Sequence, residues 1–326
     1  MTHADSQPSL ATLAAAGLPH HVPLVAATRG EAIESIHYGS AVVLAPNGQI
    51  HSVRGDGQAV FYPRSALKPL FAVGMLRAGL ELTDEQIALA AASHSGSVRH
   101  QEIARSTLTA AGLTEAALGN STDLPYGVAE RAAHLAAGGT ATQLAQNCSG
   151  KHAALVALSE LKGWDTANYL ADARLLDLLQ ETVEELTGEK VSGQSVDGCG
   201  TPVYQLTLAG LARGFARLST AAADTEEGRV AAAMRRYPEL VAGEGRDVTT
   251  LMREVPGAVA KDGFEGIQAV ALPDGTALAV KIADGTDRAR MPITAALLAE
   301  HVEVPAALFS SPALGGGKPV GLLAAL

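Results

Sequence analysis

The sequence predicts an α+β protein in which strands near both ends of the chain form one sheet around a largely helical middle. Near the start, two β-rich runs at residues 38–44 and 49–53 flank Pro-Asn-Gly, a strong signal for a hairpin turn. Near the end, residues 265–272 and 276–282 flank Pro-Asp-Gly in the same manner. Segments with helical spacing occupy the middle, at about residues 83–240. Strands on both sides of such a middle favour an architecture with a single shared sheet.

Capping and spacing signals locate the elements in order along the chain. Residues 1–22 are predicted to form a flexible leader, followed by a single domain over residues 23–326. A helix is predicted from Ser65, where apolar residues recur at helical spacing. Thr-Asp-Glu-Gln at residues 83–86 forms a capping box that opens a second helix. The short Gly-rich stretch at residues 315–318 is predicted to be a loop. Further helices are predicted over residues 98–112, 128–137, 151–163, 168–187, 205–218, 225–236 and 288–301.

The composition argues against several classes of protein. Lys and Arg number 24 and Asp and Glu number 34, so the net charge is 24 − 34 = −10. An acidic chain without basic clusters argues against nucleic acid or anionic membranes as partners and favours a small-molecule substrate. No run reaches the roughly 18 apolar residues of a membrane span, and the start of the chain lacks the basic region of a signal peptide. We therefore expect a cytoplasmic enzyme, in which two cysteines are not expected to form a disulfide framework.

Residues 65–68, Ser-Ala-Leu-Lys, are the most informative motif of the chain. Ser65 and Lys68 lie three positions apart, so one helix face would carry a hydroxyl beside an amine. An enzyme that deprotonates a serine with a lysine needs this arrangement. The alternative is a helix N-cap serine next to a solvated lysine.

Two further segments carry groups suited to the same chemistry. Ser-His-Ser-Gly-Ser at residues 93–97 follows an apolar helix and can line a polar cleft, although a capping turn has the same composition. Lys-Asp-Gly at residues 261–263 precedes a predicted strand, as the Lys-x-Gly element of serine acyl-transfer enzymes does. The glycine would let a neighbouring chain or a ligand approach the strand backbone closely. The alternative for this segment is an exposed turn with a solvated lysine.

The two cysteines lie in Gly-rich turns with polar neighbours. Lys151 follows Cys148 by one helical turn, His152 is adjacent, and Asp197 precedes Cys199 by two positions. Thiolates, an imidazole, a carboxylate and a neutral amine form a donor set that suits zinc. Two buried free thiols without a metal are the alternative.

Five short motifs in sequence order together closely resemble the class 3, or Rhizobium-type, L-asparaginase family. The motifs are Pro-Arg-Ser-Ala-Leu-Lys at residues 63–68, Ala-Ser-His-Ser-Gly at 92–96, Asn-Cys-Ser-Gly-Lys-His at 147–152, Asp-Gly-Cys at 197–199 and Lys-Asp-Gly-Phe-Glu-Gly at 261–266. The resemblance extends from about residue 28 to beyond residue 285. It implies a fold similar to serine β-lactamases and glutaminases, a homodimer, and hydrolysis of L-asparagine to L-aspartate and ammonia.

The resemblance also implies catalytic roles. Two Ser-Lys tandems would share one pocket, Ser65 with Lys68 and Ser93 with Lys261. The second lysine departs from the expected Lys-Thr-Gly form, because Asp262 replaces the threonine and changes the charge beside the amine. Lys281 is a second candidate for the same place.

A zinc site beside the tandems would be formed by Cys148, Lys151 and Cys199. We expect the metal to position the substrate or shape the pocket, because the serines already supply nucleophiles. Arg64 is expected to pair with the α-carboxylate of asparagine or to form a structural salt bridge. The remaining candidates for substrate binding are His94, His152 and Asp197.

The sequence leaves the nucleophile and the rival functions open. Either Ser65 or Ser93 can attack the side-chain amide carbon and form an acyl-enzyme. A lysine accepts the serine proton only if its pKa lies well below about 10.4, which burial and a second nearby cation both favour. The alternatives are another serine acyl hydrolase of the esterase or penicillin-binding type, and a non-catalytic amino-acid-binding protein on the same fold.

Overall fold

The computed structural model describes Ser9 and residues 17–326, so most of the predicted leader at residues 1–22 lies outside the described part. The strands are β1 (Val22–Arg29), β2 (Ala32–Leu44), β3 (Ile50–Arg54), β4 (Val60–Phe61), β5 (Gln194–Val196), β6 (Pro202–Tyr204), β7 (Leu206–Thr207), β8 (Val259–Gly263), β9 (Ile267–Ala271), β10 (Ala277–Ile282), β11 (Ser310–Gly315) and β12 (Lys318–Ala325). The α-helices are α1 (Lys68–Arg77), α2 (Asp84–Ala90), α3 (Val98–Ala110), α4 (Val128–Ala136), α5 (Ser149–Leu161), α6 (Ala173–Thr187), α7 (Leu208–Thr220), α8 (Glu226–Arg236), α9 (Pro238–Val241), α10 (Asp247–Glu254) and α11 (Arg290–Leu298). Short 3-10 turns cover Arg64–Leu67, Glu115–Ala117, Tyr169–Ala171 and Ala306–Leu308. None of the helices in this part is both long and apolar enough to cross a membrane.

Eight antiparallel strands form one sheet that joins the two ends of the described chain. The strand order is β11-β12-β1-β2-β10-β9-β8, and β3 pairs with β2 beside this path. The last strand pairs with the first, where Leu323 lies opposite Ala27. The predicted α+β architecture, with terminal strands in one sheet and a largely helical middle, is therefore confirmed. Residues 315–318, predicted to be a loop, form the tip of a β11–β12 hairpin that the sequence did not indicate.

Both predicted hairpins are confirmed, and the structure adds a strand that the sequence pattern missed. β2 pairs with β3 and β9 pairs with β10, each in antiparallel orientation. The additional strand, β8, pairs with β9 and contains Lys261, which the sequence placed before the strand. All five residues of β8 are buried, including Lys261 and Asp262, so this strand has no alternation of polar and apolar residues to reveal it.

Each predicted helix is present, although several ends are shifted. The capping box at the start of α2 is confirmed, since the Thr83 N–H donates to the Gln86 side chain at 3.0 Å. Asp172 caps α6 by accepting from the Arg174 N–H at 3.0 Å, which starts this helix later than the predicted residue 168. The short helices α9 and α10, of 4 and 8 residues, gave no usable periodic signal.

Two buried helices carry candidate site residues at their N-terminal ends. α1 is buried along its length except at Arg77, and α5 is buried up to Ser159. Helices that are apolar on all sides belong to the interior, so the surrounding elements fix their positions. α1 begins with Lys68, and α5 begins directly after Cys148, so the two helix starts bring these residues together.

Candidate active site

A cavity of about 90 Å³ lies where the 3-10 turn before α1, the segment after α2 and the end of β8 meet. Ser65 and Ser93 both line it, together with Tyr126, Arg246 and Asp262. Ser93 is almost fully buried, whereas Ser65 is half-buried. The fold therefore brings the two predicted serines, which are distant in sequence, to one pocket.

Lys68 connects this pocket to the buried cysteines. Its Nζ donates to the Ala92 carbonyl at 2.6 Å, to the Ser93 Oγ at 3.0 Å and to the Cys148 Sγ at 3.1 Å. The Ala92 carbonyl is buried in the non-helical segment after α2, and a buried carbonyl requires a donor. An amine in contact with a serine hydroxyl is placed to exchange a proton with it.

The contacts of Lys68 differ from the predicted pairing with Ser65. Within the described chain, no hydrogen bond joins the Lys68 amine to the Ser65 hydroxyl, and Ser93 is the serine that it contacts. Both the three-residue spacing and the family resemblance indicated that pairing, but Ser65 lies in the 3-10 turn before α1, and Lys68 is the first residue of the helix. The buried Ala92 carbonyl accepts from the amine, which therefore reaches across to the segment after α2.

Lys261 is also paired differently from the prediction. It is fully buried in β8 and donates to the carbonyl of Asp262 at 2.7 Å and to its carboxylate at 2.5 Å. Among the described residues, no hydrogen bond joins Lys261 to Ser93. The Lys261 amine binds the carboxylate of Asp262 instead, the residue at the position where threonine was expected. Burial lowers the pKa of Lys261 to about 8, against the opposing charge of Asp262 and with the help of the Lys68 charge.

Lys281, the other candidate partner of Ser93, donates hydrogen bonds to backbone carbonyls instead. Its Nζ donates to the Glu265 carbonyl at 2.6 Å and to the Ile282 carbonyl at 2.8 Å. No hydrogen bond to Ser93 is present in the part of the chain that the structure describes. Lys281 therefore fixes a segment at the pocket and does not complete the second tandem.

Arg246 joins two sides of the pocket, although no sequence motif indicated it. Its guanidinium donates to the Ser93 carbonyl and to the Asp262 carboxylate, each at 2.6 Å, and lies 5.0 Å from the centroid of the Tyr126 ring. Burial would raise the pKa of Asp262, but the charges of Lys261 and Arg246 outweigh it and hold this pKa well below its usual range. Asp262 is therefore an anion between two cations. Arg246 and Tyr126 became recognisable only through the fold, because neither belongs to a motif with a chemical signature.

Strained backbone flanks the pocket on two sides. Arg64 (φ 53°) and Glu265 (φ 74°) are the only non-glycine residues with positive φ in the described chain. Arg64 directly precedes Ser65, and Glu265 lines the cavity. Such conformations cost about 1–3 kcal/mol each and persist where surrounding contacts hold them. Here Arg64 binds the Asp197 carboxylate at 2.8 Å, and Lys281 holds the Glu265 carbonyl.

A glycine lets β8 approach the turn that carries Ser65, as predicted for the Lys-Asp-Gly motif. A Cβ atom on Gly263 would lie 2.4 Å from the Pro63 carbonyl oxygen and 3.4 Å from the Ala66 nitrogen. Only glycine permits this distance, so the predicted close approach of a neighbouring chain segment is confirmed.

The second cluster contains both cysteines, which are buried free thiols. The Nζ of Lys151 lies 3.1 Å from the Cys199 Sγ and 2.6 Å from the Thr201 Oγ1. His152 is bonded to the Tyr169 hydroxyl through Nδ1 at 2.6 Å. Its Nε2 is buried and has no hydrogen-bond partner among the described residues. Of the predicted cluster members, Lys151 therefore contacts Cys199, whereas Asp197 pairs with Arg64; Thr201 and Tyr169 are additions.

The chemistry of this cluster fits a metal ion. The hydrogen bond between the two thiols, with burial, raises the pKa of Cys148, and the same bond together with Lys151 lowers the pKa of Cys199. Burial lowers the pKa of His152 to about 4, which keeps its imidazole neutral near neutral pH. Two buried free thiols and a buried imidazole nitrogen without a hydrogen-bond partner are donor types that zinc takes, and the Lys151 amine lies beside one of the thiols.

The predicted substrate-binding residues do not line the cavity. Arg64 and Asp197 form an ion pair with each other at 2.6 Å, which corresponds to the structural alternative for the arginine. His94 is fully buried, bonded to the Ser149 hydroxyl at 2.9 Å and stacked on His100 with centroids 4.9 Å apart. These side chains therefore bind the segments that form the pocket without facing the cavity.

The fold and the cavity define an α+β protein whose pocket is lined by two serines, one of which contacts a buried lysine. The family model for L-asparaginase II matches residues 25–323, and the chain belongs to this family. The family resemblance of the five motifs is therefore confirmed.

A comparison with curated proteins finds no match. Among solved structures, the chain is similar to a beta-lactamase from Mycobacterium bovis, with 16% identity over 81% of this chain and 95% of that chain and a TM-score of 0.45. It is also similar to Mglu in its native form, with 16% identity over 80% of this chain and 64% of that chain and a TM-score of 0.44. The chain thus spans just under two thirds of the Mglu chain.

Proposed function

We propose that the protein hydrolyses the side-chain amide of L-asparagine to give L-aspartate and ammonia. The observation that carries this proposal is the 3.0 Å contact between Lys68 Nζ and Ser93 Oγ in a cavity that Ser65 also lines. Membership of the L-asparaginase II family supports asparagine as the substrate. An amino-acid-binding protein does not need a buried amine in contact with a hydroxyl, so this contact favours a hydrolase.

In the proposed reaction, one serine attacks the amide carbon while a lysine moves its proton. A neutral lysine amine takes the proton from Oγ, the Oγ–C bond forms, and the amide oxygen becomes an oxyanion. When this intermediate collapses, the C–N bond breaks and the proton passes to the departing ammonia. Water then adds to the acyl-enzyme with the amine as base, which releases L-aspartate and the serine. Ser93 contacts Lys68 and Ser65 faces the same cavity, so either supplies the attacking oxygen.

The charges around the cavity fit a zwitterionic amino acid with a neutral amide. Arg246, which also binds Asp262, is the cationic side chain of the lining that would pair with the α-carboxylate, and Glu265 and Asp287 on the exposed rim supply negative charge for the α-ammonium. Glutamine is one methylene longer, which displaces its amide carbon when the α-groups are held in place. A displacement of about 1 Å can cost about 10²-fold in rate. We therefore expect L-asparagine to be preferred over L-glutamine.

We further propose that Cys148, Lys151 and Cys199 hold a zinc ion beside the pocket. Bound zinc would supply a fixed positive charge that positions the substrate or shapes the pocket. Because Lys151 must bind as a free amine, metal affinity should fall as the pH drops. Elemental analysis of protein purified without chelator should find zinc, and Cys199→Ser should contain one zinc equivalent less than wild type. Metal-free wild-type protein would contradict this proposal.

Ammonia release from L-asparagine tests the proposed function directly. Ser65→Ala and Lys68→Ala are expected to abolish turnover without unfolding the protein, because they remove a pocket hydroxyl and the amine beside Ser93. Ser159→Ala is the matched control, since Ser159 is a buried serine of α5 whose hydroxyl bonds only to the Leu155 carbonyl in the described chain. Near-normal activity in folded Lys68→Ala protein would contradict the proposal, whereas an active Ser65→Ala protein would assign the attack to Ser93.

Parallel assays separate the alternative functions. Mass spectrometry of a trapped acyl-enzyme should place the added mass on Ser65 or Ser93 and so identify the nucleophile. Faster cleavage of nitrocefin or short esters than of L-asparagine would favour a different serine acyl hydrolase. Binding of L-asparagine without turnover would favour an amino-acid-binding protein. The homodimer and the cytoplasmic location stay predictions.

A further inference from the structure

A second group of metal-binding side chains lies on the surface, outside the cavity and the cysteine cluster. His51 belongs to β3, and Glu300 and His301 belong to the turn after α11. One ligand atom from each of the three residues lies within 4.8 Å of the others, and no other such group of His, Cys, Asp or Glu occurs in the described chain. The rings of His51 and His301 are in edge contact, with centroids 5.2 Å apart.

The ligand atoms of this group are not engaged elsewhere. In the part of the chain that the structure describes, the side chains of His51, Glu300 and His301 form no hydrogen bond or ion pair. The Nε2 of His301 is buried without a partner, and a buried polar atom of this kind is costly unless something satisfies it. Three metal-binding side chains therefore lie together without another hydrogen-bond or ion-pair partner among the described residues.

We propose that His51, Glu300 and His301 bind a divalent transition-metal ion, with zinc as the best match. Two imidazoles and one carboxylate are a donor set typical of zinc, whereas calcium and magnesium prefer oxygen ligands only. Donors on one tetrahedral zinc at ~2.1 Å lie roughly 3.4 Å apart, so small side-chain rotations from the present spacing close the site. Water completes the coordination.

The position of the site indicates a structural role. β3 is a short edge strand that pairs only with β2 among the described strands, and its opposite edge has no strand partner there. The ion would tie this strand to the end of α11, which is almost 250 residues further along the chain (300 − 51 = 249). Since the unfolded chain does not hold these donors together, binding stabilises the folded state by mass action.

Cobalt and zinc titrations of the full chain test this site separately from the cysteine cluster. After chelator treatment, Co²⁺ bound by thiolates gives a charge-transfer absorption band, whereas Co²⁺ bound by imidazole and carboxylate gives only ligand-field bands. His51→Gln and His301→Gln should each bind one Zn²⁺ equivalent less than wild type, keep the thiolate band and lose the rise in melting temperature caused by this site. His20→Gln, a substitution of an exposed histidine outside the group, is the matched control and should behave as wild type.

Two results would overturn the inference. One is an unchanged Zn²⁺ stoichiometry and an unchanged zinc-induced melting shift in both His51→Gln and His301→Gln. The other is the same pair of results in Glu300→Gln, whose exposed side chain can be replaced without disturbing the core. Because melting of the metal-free variants is measured in the same series, a folding defect would be recognised as such.

Discussion

The carboxylate of Asp262 determines how readily Lys261 loses its proton. Burial lowers the pKa of Lys261 to about 8, and the charge of Asp262 opposes this shift. A lysine acts as a base only in its neutral form, so catalysis that uses this amine should increase as the pH rises through about 8. The charge of Asp262 thus stabilises the ammonium form of Lys261, which must lose a proton before the amine can act as a base.

Replacing Asp262 should move the pH dependence of activity towards acid. In Asp262→Asn the opposing negative charge is absent, so the pKa of Lys261 falls further below about 8. An ion-pair partner at this range shifts a pKa by about 1–3 units, and the rising limb of kcat/KM against pH should move by a similar amount. Steady-state kinetics over a pH series measure the shift.

The control for this experiment is Glu160→Gln, which removes a carboxylate from the exposed end of α5. Its pH profile should match that of wild type. A rising limb that stays in place in folded Asp262→Asn protein would show that Lys261 is not the titrating base.

At the scale of elements, the approach of β8 to the turn before α1 positions Ser65. A methyl group on Gly263 would meet the Pro63 carbonyl oxygen at 2.4 Å, and neither backbone can yield without moving the serine. We expect Gly263→Ala to lower kcat by about 10²-fold or more, because small displacements of a catalytic group have effects of that size. Kinetic assays combined with thermal melting would separate this loss from a general loss of stability.

A buried glycine in a tolerant place gives the matched comparison for that substitution. In Gly214→Ala, the new methyl group would contact the ends of the Leu70 side chain at 3.2 Å, and these can adjust. Gly214→Ala should therefore keep its kcat. Equal kcat values for the two variants would contradict a positioning role for Gly263.

Elements whose signals lie within a few residues could be predicted from the sequence, whereas an element stabilised by contacts that form only on folding could not. The capping box at Thr83 was predictable because both of its hydrogen bonds join residues three apart. β8 escaped prediction because it is buried throughout and carries Lys261 and Asp262, charges that satisfy each other only after folding. A strand of this kind has neither alternation nor an apolar run.

The site residues follow the same division. The motifs indicated that Ser65 and Ser93 share a pocket, and both serines line the cavity, with Lys68 in contact with Ser93. The motifs did not identify which amine meets which hydroxyl, since Lys68 reaches a carbonyl and a serine some 25 residues ahead. Arg246 carries no motif and became visible only when β8 and the segment after α2 were brought together.

At the scale of the whole molecule, both ends of the chain contribute strands to the sheet that supports the site. β12 pairs with β1, and β1 and β2 connect it to β10, β9 and β8, which carries Lys261. β12 therefore covers the edge of β1 that β2 does not pair with. An exposed edge of this kind tends to pair with other chains.

Adjacent leucines in β12 provide a test of this closure. Leu323 lies opposite Ala27 and is 4% exposed, whereas Leu322 on the other face of the same strand is 46% exposed. Leu323→Ala should lower the free energy of unfolding by about 2–5 kcal/mol, because it removes buried methyl groups and leaves a cavity. Leu322→Ala has the same change in composition and strand propensity, and it should stay within about 0.5 kcal/mol of wild type. Urea denaturation followed by circular dichroism measures both values. If the two variants lost equal stability, packing of the last strand onto the core would not be what holds the ends of the chain together.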